Sequence, residues 1–513
     1  MSSTQVNDIA LPPLSGPMLI VAALMIAAAN FVAVLDSTIA NVSLSTISGA
    51  LGSSTSQGTY VITSYAVAEA ITVPLTGWLA SRFGTVRVFI TALVMFGLFS
   101  ALCGMATSLG TLILFRVFQG LAGGPLMPLS QTLLLRIFPK EKAAAALGLW
   151  SMTTLIAPVM GPVLGGIICD DYHWSYIFFI NVPVSLICGY AGWMMLKRFE
   201  SEKIRMRIDT VGLVLLIIWV SALQIMVDDG KDKDWFSSME IRVLAIIAVI
   251  GFLAFLIWEL TERNPIVDLR VFRHRGFAAS VVTMSLAFGA YFGATVLTPL
   301  WLQNNMGYTA TWAGYAQATT GIFAVVAAPF AARLSTKFDG RWLVFAGVML
   351  LGSVTLFRTH ANSQMDFWQV ALPLLLQGVG LPFFFVPTTS LGLSSVDEPE
   401  TASAAGLMSF CRTFSGAIAT SVVNTLWEDK TKYNRAELSG LVDQAGHFMS
   451  SLTGSGWSVD QAQAQISNMV ESQAVMLATN QLFFNIACCF VIGALAIWLA
   501  PKPTRLADTS QAH

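Results

Sequence analysis

The first long apolar run of the chain covers residues 17–44 and reads PMLIVAALMIAAANFVAVLDSTIANVSL. A helix that crosses a bilayer needs about 20 mainly apolar residues, and this run exceeds that length. It is also too long for the apolar part of a cleaved signal peptide, so we interpret it as a retained first transmembrane helix. It contains one charged residue, Asp36, whose position along the run predicts a location in the outer half of the helix.

The composition extends this interpretation to the whole protein. Of the 513 residues, 55% are hydrophobic and only 11% are charged, whereas soluble proteins carry about 25% charged residues. The formal net charge of −1 argues against nucleic acid as a partner. The sequence therefore predicts an all-α polytopic membrane protein.

Fourteen apolar runs are long enough to cross a membrane. They lie at about 17–44, 58–80, 87–107, 109–131, 142–168, 175–197, 209–228, 241–260, 277–303, 311–334, 341–358, 367–390, 402–427 and 479–500. The longest segment between runs is 428–478, which is polar and is expected outside the cytoplasm. Within it, residues 458–476 have apolar residues at roughly helical spacing, which is typical of a short helix on the outer surface. The alternative interpretation of these residues is a solvated loop.

The positive charges predict which side of the membrane each loop occupies. Nineteen of the 28 Lys and Arg residues lie in alternate loops and the C-terminal tail, and seven lie in the opposite loops or helix ends. By the positive-inside rule, the first set of loops and both termini are cytoplasmic. The acidic loop VDEPET at 396–401 is an exception on that side. The two remaining cations, Arg116 and Arg412, fall inside predicted helices.

Similar stretches recur in the same order at offsets of 255 to 260 residues. The pairs are PLTGWLASRF (74–83) with PFAARLSTKF (329–338), FQGLAGGPLMP (118–128) with LQGVGLPFFFVP (376–387), and PKEKAAAALGL (139–149) with PETASAAGLMS (399–409). The repeat predicts two related six-helix bundles at 1–200 and 271–513, with two additional transmembrane helices in 201–270. A site between two such halves, near the middle of the bilayer, is the usual transporter arrangement.

Several motifs resemble signatures of the major facilitator superfamily. GWLASRFGTVR (77–87) resembles its loop signature, and RVFQGLAGG (116–124) resembles its fourth-helix signature. APVMGPVLGG (157–166) resembles its antiporter signature, and LDSTIANVSL (35–44) resembles the first-helix signature of the fourteen-helix drug:proton antiporters. HWSYIFFINVP (173–183) strengthens the resemblance to the EmrB-type multidrug exporters, which covers nearly the whole chain.

This resemblance implies a major facilitator fold and an exporter in the bacterial inner membrane. It also implies a periplasmic adaptor protein and an outer-membrane channel as partners in a tripartite efflux pump, with segment 428–478 as a plausible adaptor contact. The implied energy source is the proton gradient, without a bound cofactor. The sequence has no P-loop for ATP and no His-Glu metal motif, so we expect neither an enzyme nor a metal site.

Asp36 and Arg116 are the first candidates for the transport site. Burial disfavours the charged form of a carboxyl, so Asp36 could bind a proton from one side of the membrane and release it on the other. Arg116 is expected at a compatible depth in the fourth helix, where its charge would act on Asp36. The alternative is that the two residues form a permanent ion pair that only orders the bundle.

Glu69 and Arg412 are the other charged residues predicted within helices. Glu69 is expected near the middle of the second helix. It could be a second proton site or a counter-charge for cationic drugs, and the alternative is a protonated carboxyl that is hydrogen-bonded to a neighbouring helix. Arg412 could attract anionic substrates or pair with a carboxylate across the two halves. Both residues are therefore candidates for substrate or proton binding.

The antiporter motif contains no charged residue, and its expected role is to bend a helix and to pack it closely against another. Pro158 and Pro162 remove helix hydrogen bonds, while Gly161, Gly165 and Gly166 allow another helix to pack closely. Such a helix could seal the cytoplasmic side while the protein is open outward, and a generic packing face is the alternative.

The sequence as a whole predicts a proton-coupled antiporter that exports hydrophobic drugs and other toxic compounds by alternating access. Its 33 Phe and 21 Met residues suit an adaptable apolar pocket, although most of them are expected to face lipid. One alternative is a dedicated exporter of a single solute, such as a fatty acid, bile salt or siderophore. Another is a membrane protein of transporter ancestry that does not transport.

Overall fold

A computed structural model describes most of the chain. The described residues are 14, 16–139, 143–201, 203, 208–230, 233–263, 265–335, 337–397, 400–442, 452–455 and 457–502. Within these ranges, the side chains of residues 55–56, 143–148, 151–152, 155, 158–159, 332, 401–402 and 441–442 are not described.

The described part of the chain is almost entirely helical. Nine α-helices precede residue 200: α1 Gly16–Ala50, α2 Thr55–Gly58, α3 Tyr60–Phe83, α4 Thr85–Gly104, α5 Leu109–Gly123, α6 Leu126–Ile137, α7 Ala143–Asp171, α8 Tyr176–Phe179 and α9 Asn181–Leu196. Eight follow: α10 Thr210–Asp229, α11 Met239–Thr261, α12 Arg275–Asn304, α13 Ala310–Ser335, α14 Gly340–Phe357, α15 Phe367–Ser394, α16 Thr401–Val442 and α17 Val459–Ala496.

Eleven segments of the described chain are long and apolar enough to cross a membrane, counting α5 with α6 and α8 with α9 as one segment each. The long helices α3, α7 and α16 lie between them in chain order and pack against them. Each of the fourteen predicted runs therefore lies on a long helix or helix pair, as expected for a polytopic all-α protein.

The run predicted at 109–131 differs from the expectation, because it is divided into α5 and α6. Gly124 and Pro125 separate the two helices, and a proline cannot donate the backbone hydrogen bond that a continuous helix requires. The related stretch in α15 stays helical through Pro382 and Pro387. The repeat therefore predicted the position of this element but not its break.

The described part of segment 428–478 corrects a second expectation, since residues 459–476 belong to a long helix and form neither a loop nor a short separate helix. The 42-residue α16 and the 38-residue α17 continue through its two ends, and helices of this length span roughly 57–63 Å, about twice the thickness of a bilayer core. Arg435 and Glu471 form an ion pair of 3.1 Å between the two extensions. A capping box between Ser458 and Gln461 starts α17 well before its apolar part. The result is a two-helix outer projection.

The helices pack in two sets, which we call the N-terminal helices (α1–α9) and the C-terminal helices (α12–α17). Two apolar clusters lie among the N-terminal helices. A third includes most C-terminal helices, parts of α10 and α11, and residues of α1 and α3. The predicted domain limits at 200/201 and 270/271 stay a prediction.

Hydrogen bonds join the two sets at their outer ends, as the predicted orientation defines them. Gln303 on α12 donates to the carbonyl of Val42 on α1 at 2.9 Å. Asp170 at the end of α7 accepts from the backbone amides of Ala310 at 3.2 Å and Thr311 at 2.7 Å, which start α13. The protein is therefore closed on its outer side.

The first inserted helix, α10, contributes to the same closure. Thr63 on α3 donates to Asp228 at 3.0 Å, and Gln224 donates both to Asp228 at 3.0 Å and to Ser421 on α16 at 2.5 Å. These bonds connect one N-terminal and one C-terminal helix through α10. The inserted pair is thus in contact with both sets of helices.

The acidic residues at 396–401, which depart from the prediction of the positive-inside rule, have a local explanation. Arg273 forms ion pairs with Glu400 at 2.8 Å and with Asp397 at 3.3 Å, and His274 lies 3.0 Å from Glu400. The acidic residues compensate basic residues at the start of α12, so the cluster ties α12 to α16. His274, Asp397 and Glu400 lie close enough to hold a metal ion, but both carboxylates already form ion pairs with Arg273.

Candidate functional site

Asp36 lies in a closed polar cluster inside the N-terminal helices. Its Oδ2 accepts from Nη1 of Arg116 at 2.5 Å, and its Oδ1 accepts from Gln119 at 3.0 Å and Asn181 at 2.7 Å. None of the Asp36 surface is exposed, and the same is true of Arg116 and Gln119. The carboxylate therefore has charge and hydrogen-bond partners from two other helices, α5 and α9, and no water reaches it in this state.

The orientation of Arg116 is fixed by further contacts. Its Nε donates to the carbonyl of Val61 at 2.9 Å, and its guanidinium lies 4.2 Å from the ring centre of Tyr65. Both partners are on α3, so Arg116 connects Asp36 on α1 to a third helix. A buried ion pair with this many partners is costly to break from one side only.

Gln119 and Asn181 were not predicted as site residues. Gln119 is one turn from Arg116 on α5, and Asn181 lies at the start of α9, where it also donates to Ser100 at 3.0 Å. The stretches RVFQGLAGG and HWSYIFFINVP contain them. A polar amide inside each apolar run was the available signal.

The glycines of RVFQGLAGG explain how α3 approaches α5 closely enough to surround Arg116. A Cβ atom at Gly120 would lie 2.4 Å from the carbonyl oxygen of Tyr65, and one at Gly124 would lie 2.9 Å from the carbonyl oxygen of Glu69. Only a residue without a side chain fits such a contact. The motif therefore supplies both the charged partner of Asp36 and the close packing around it.

Glu69 is in a different environment, although it is on the adjacent helix. It is only half-buried, and in the described part of the chain no hydrogen bond or ion pair to its carboxylate is found. Arg412 on α16 is close enough to Glu69 for the two charges to interact, and α16 packs along α3. The two residues thus lie between the N-terminal and C-terminal helices.

Arg412 is also half-buried, and the side chains in direct contact with its guanidinium are apolar. Its Nη2 lies 3.1 Å from the sulfur of Met127, and its guanidinium lies 5.7 Å and 5.5 Å from the ring centres of Phe288 and Phe385. These neighbours belong to α6, α12 and α15. A cation surrounded by adaptable Met and Phe side chains at the meeting point of four helices is suited to contact varied amphiphilic molecules.

The antiporter motif lies on α7 and packs against both sets of helices. A Cβ atom at Gly161 would lie 2.3 Å from the hydroxyl of Thr38, and one at Gly165 would lie 2.7 Å from the carbonyl oxygen of Ile39. On the other side, one at Gly166 would lie 2.5 Å from the carbonyl oxygen of Ala310 on α13. The motif therefore joins the turn of α1 that follows Asp36 to the first turn of α13.

Of the two prolines in the motif, the structure describes the contacts of Pro162. The carbonyl of Pro162 lies against Gly314 of α13, where an added Cβ atom would approach it to 2.2 Å. The side chain of Pro158 lies outside the described part of the chain. The predicted sealing of the cytoplasmic side in the opposite conformation stays a prediction.

We expect Gly166→Ala to weaken the outer closure. The new methyl group would be placed 2.5 Å from Ala310 O and 2.6 Å from Thr311 Cα, and overpacking of this kind costs about 1–3 kcal/mol. Transport should fall about tenfold or more because the outer-closed state becomes less populated. The control is Gly110→Ala on α5, where an added Cβ meets nothing within 4 Å. Equal transport by the two variants would contradict the packing role of Gly166.

The fold and the site define a polytopic helical membrane protein with one charged pair enclosed within the N-terminal helices and two further charged residues between the two sets of helices. The family model of the Major Facilitator Superfamily matches residues 26–420. The chain belongs to the Major Facilitator Superfamily.

Relatives of known name match almost the full length. The chain is 43% identical over 496 residues to "Multidrug export protein EmrB" of Escherichia coli strain K12, which covers 96% of this chain and 97% of that protein. It is 41% identical over 500 residues to "Fatty acid resistance protein FarB" of Neisseria gonorrhoeae, covering 96% and 98% of the two chains.

Solved structures resemble the fold at low sequence identity. A bacterial homologue of the human lysosomal transporter Spinster, in an inward-facing and unoccupied conformation, has a TM-score of 0.62 at 13% identity. The match covers 96% of this chain and 100% of that chain. A transporter of the POT family has a TM-score of 0.64 at 13% identity, with 93% and 95% covered. These likenesses concern the fold alone.

Proposed function

We propose that this protein exports hydrophobic toxic compounds, including drugs, across the bacterial inner membrane in exchange for protons. The observation that carries the proposal is the arrangement of four charged residues: the enclosed pair Asp36–Arg116 and the accessible pair Glu69 and Arg412. The names of the relatives, a multidrug export protein and a fatty acid resistance protein, support the export of toxic compounds. The relatives are transporters rather than enzymes, and the proposed cycle contains no chemical step on the substrate.

In the proposed cycle, substrate enters between the two sets of helices from the cytoplasm and binds near Glu69 and Arg412. The outer contacts at Gln303, Asp170 and α10 then separate, and the cytoplasmic ends approach one another. Protonation of Glu69 from the outside weakens the binding of a cationic substrate, which leaves. Return of the proton to the cytoplasm resets the protein.

Asp36 takes part in this cycle through its neighbours. The glycines of α7 contact the turn of α1 at Thr38 and Ile39 as well as the first turn of α13. A movement of α13 relative to α1 therefore disturbs the backbone that holds Asp36. We infer that the Asp36–Arg116 bond loosens when the outer side opens, which exposes the carboxyl to protons.

The proton gradient is the proposed energy source. A proton that moves inward releases about 2.3 kcal/mol per 100 mV of membrane potential, and a pH gradient adds to this. Both termini are cytoplasmic in this scheme, and the outer projection of α16 and α17 points into the periplasm. A periplasmic adaptor that binds this projection and leads to an outer-membrane channel completes the proposed tripartite efflux pump.

The proposal is tested with the purified full-length protein in liposomes under an imposed pH gradient. The substrates are a panel of cationic, neutral and anionic hydrophobic compounds, each measured with and without the gradient. We expect accumulation of several chemically unrelated compounds only with the gradient. Absence of transport for the whole panel would instead favour a protein of transporter ancestry that does not transport.

A dedicated fatty acid exporter is the second candidate. Two observations favour it: the FarB relative is named for fatty acid resistance, and Arg412 is a cation among apolar side chains. The discriminating result is selectivity. Transport confined to fatty acids, with unchanged drug susceptibility after deletion of the gene, would replace the multidrug proposal with this one.

A further inference from the structure

Asp209 and Glu259 form a buried acidic pair where the inserted helices α10 and α11 meet, on the cytoplasmic side in the predicted orientation. Asp209 caps the start of α10, and Glu259 lies in the last turn of α11. None of the Glu259 surface is exposed. In the described part of the chain, Oδ2 of Asp209 and Oε1 of Glu259 are both buried without a hydrogen-bond partner. The pair takes no part in the site described above.

Gly212 shows that the two free oxygens face the same space. A Cβ atom on Gly212 would lie 2.3 Å from Oδ2 of Asp209 and 2.4 Å from Oε1 of Glu259. The two oxygens are therefore no more than 4.7 Å apart, the sum of these distances. Any side chain at position 212 would collide with both of them. Two buried acceptors are thus close together, with no donor for either.

The other oxygen of each carboxyl group is bonded, and the bonds favour a charge on Asp209. Oδ1 of Asp209 accepts from the amide of Gly212 at 2.8 Å and from Nε1 of Trp258 at 2.9 Å. The N-terminus of α10 also stabilises a negative charge at this place. Oε2 of Glu259 accepts from the amide of Val267 at 3.1 Å. Asp209 is therefore better placed than Glu259 to be the ionised member of the pair.

The described surroundings of the pair supply no compensating positive charge. Asp209, Glu262 and Asp268 are close enough to Glu259 for their charges to act on it, and all three are acidic. No Lys or Arg of the described ranges forms an ion pair with either member of the pair. Arg270, in the turn after α11, donates instead to the carbonyl of Glu262 at 2.5 Å. Two carboxylates that share a buried site repel each other, so one of them keeps its proton.

We propose that Asp209 and Glu259 bind one proton between them. Oε1 of Glu259 carries the hydrogen and donates it toward Oδ2 of Asp209, so the pair holds one negative charge instead of two. A water molecule would donate to both oxygens but would leave two charges side by side. Among the described residues, no third His, Cys, Asp or Glu side chain completes a metal site with the pair. This proton site is separate from Asp36 and Glu69 and does not depend on the proposed export function.

The proton joins three segments on the cytoplasmic side. Asp209 starts α10, Glu259 lies on α11, and Val267, which Glu259 also binds, precedes α12. Loss of the proton would leave two like charges in contact and would separate the start of α10 from α11. The link between the inserted helices therefore weakens as the pH rises and the proton leaves.

Infrared difference spectroscopy of the purified full-length protein, between neutral and alkaline pH, tests the shared proton. The variants are Glu259→Gln and Asp209→Asn, whose amides can donate in place of the protonated carboxyl. The control is Glu262→Gln, which removes a nearby carboxyl group outside the pair. Wild type and Glu262→Gln should lose a protonated-carboxyl band as the pH rises. Both Glu259→Gln and Asp209→Asn should lack this band, because either substitution removes the need for the proton.

Two spectroscopic results would overturn the proposal. Absence of the band from wild type would show that both carboxyl groups are ionised at neutral pH. Persistence of the band in Asp209→Asn would show that Glu259 holds its proton without any help from Asp209, so the proton would not be shared.

Thermal unfolding of the same proteins gives a second measurement. At neutral pH, Glu259→Gln should be as stable as wild type, since its amide donates to Asp209 and its oxygen still accepts from Val267. At alkaline pH, wild type and Glu262→Gln should unfold about 2 °C or more below Glu259→Gln. The same pH dependence in wild type and Glu259→Gln would contradict the proton site.

The choice of salt separates a proton from a metal cation. The unfolding temperature of wild type at neutral pH is measured in sodium, magnesium and choline chloride at equal ionic strength. We expect the same value in all three salts. A higher value in sodium or magnesium than in choline, absent from Glu259→Gln, would identify a bound metal cation in place of the proton and overturn the proposal.

Discussion

Asp36→Asn is expected to abolish proton-coupled export and also to destabilise the protein. The variant leaves the guanidinium of Arg116 fully buried without an anion, and breaking a buried pair from one side costs about 3–5 kcal/mol. Transport should fall to background because no proton can bind at position 36. The measurements are thermal unfolding of the purified variant and gradient-driven transport in liposomes.

The double variant Asp36→Asn/Arg116→Gln separates coupling from structure. The double variant leaves no uncompensated buried charge, which is the main cost of breaking the pair from one side, so we expect most of the stability to return. Transport should stay absent, because the titratable carboxyl is still missing. A double variant that transports at the wild-type rate would show that the pair only orders the N-terminal helices.

Glu69→Gln is expected to remove transport without affecting the fold. Its carboxylate has no hydrogen-bond or ion-pair partner in the described part of the chain and is half-buried, so the stability change should stay within about 0.5 kcal/mol. Export of cationic compounds should fall at least tenfold. The measurement is the initial transport rate for cationic and neutral compounds, with the exposed Glu437→Gln on α16 as the control.

The two substrate classes distinguish the two proposed roles of Glu69. Loss of cationic substrates alone indicates a counter-charge, whereas loss of cationic and neutral substrates together indicates a proton site. Wild-type rates for both classes in Glu69→Gln would contradict any role of this residue in the transport site.

The charged part of the site could be predicted from the sequence because charges are rare in apolar helices. Asp36, Glu69, Arg116 and Arg412 stand out for that reason alone. Their division into an enclosed pair and an accessible pair could not be predicted, because it depends on which face of each helix meets a neighbour. Uncharged polar residues such as Gln119 were missed, because an amide inside an apolar run does not by itself show which side chain of another helix it bonds.

Hydropathy predicted the helices correctly where they are apolar, and it failed where a helix is polar. The outer parts of α16 and α17 are helical but polar, since they extend beyond the bilayer and pair with each other, so hydropathy ended both helices too early. Arg358, one of the seven cations counted in the opposite loops or helix ends, is only 6% exposed because it packs against Phe483 on α17, and hydropathy holds no signal for such packing.

The central claim is the exchange of protons for substrate, and it is tested most directly by trapping a pH-sensitive dye inside liposomes that contain the wild-type protein. Addition of a transported compound to one side, without any imposed pH gradient, should drive protons in the opposite direction. A protonophore should abolish this change, and so should the stability-matched double variant Asp36→Asn/Arg116→Gln. Movement of substrate without any proton movement in the wild type would contradict the account.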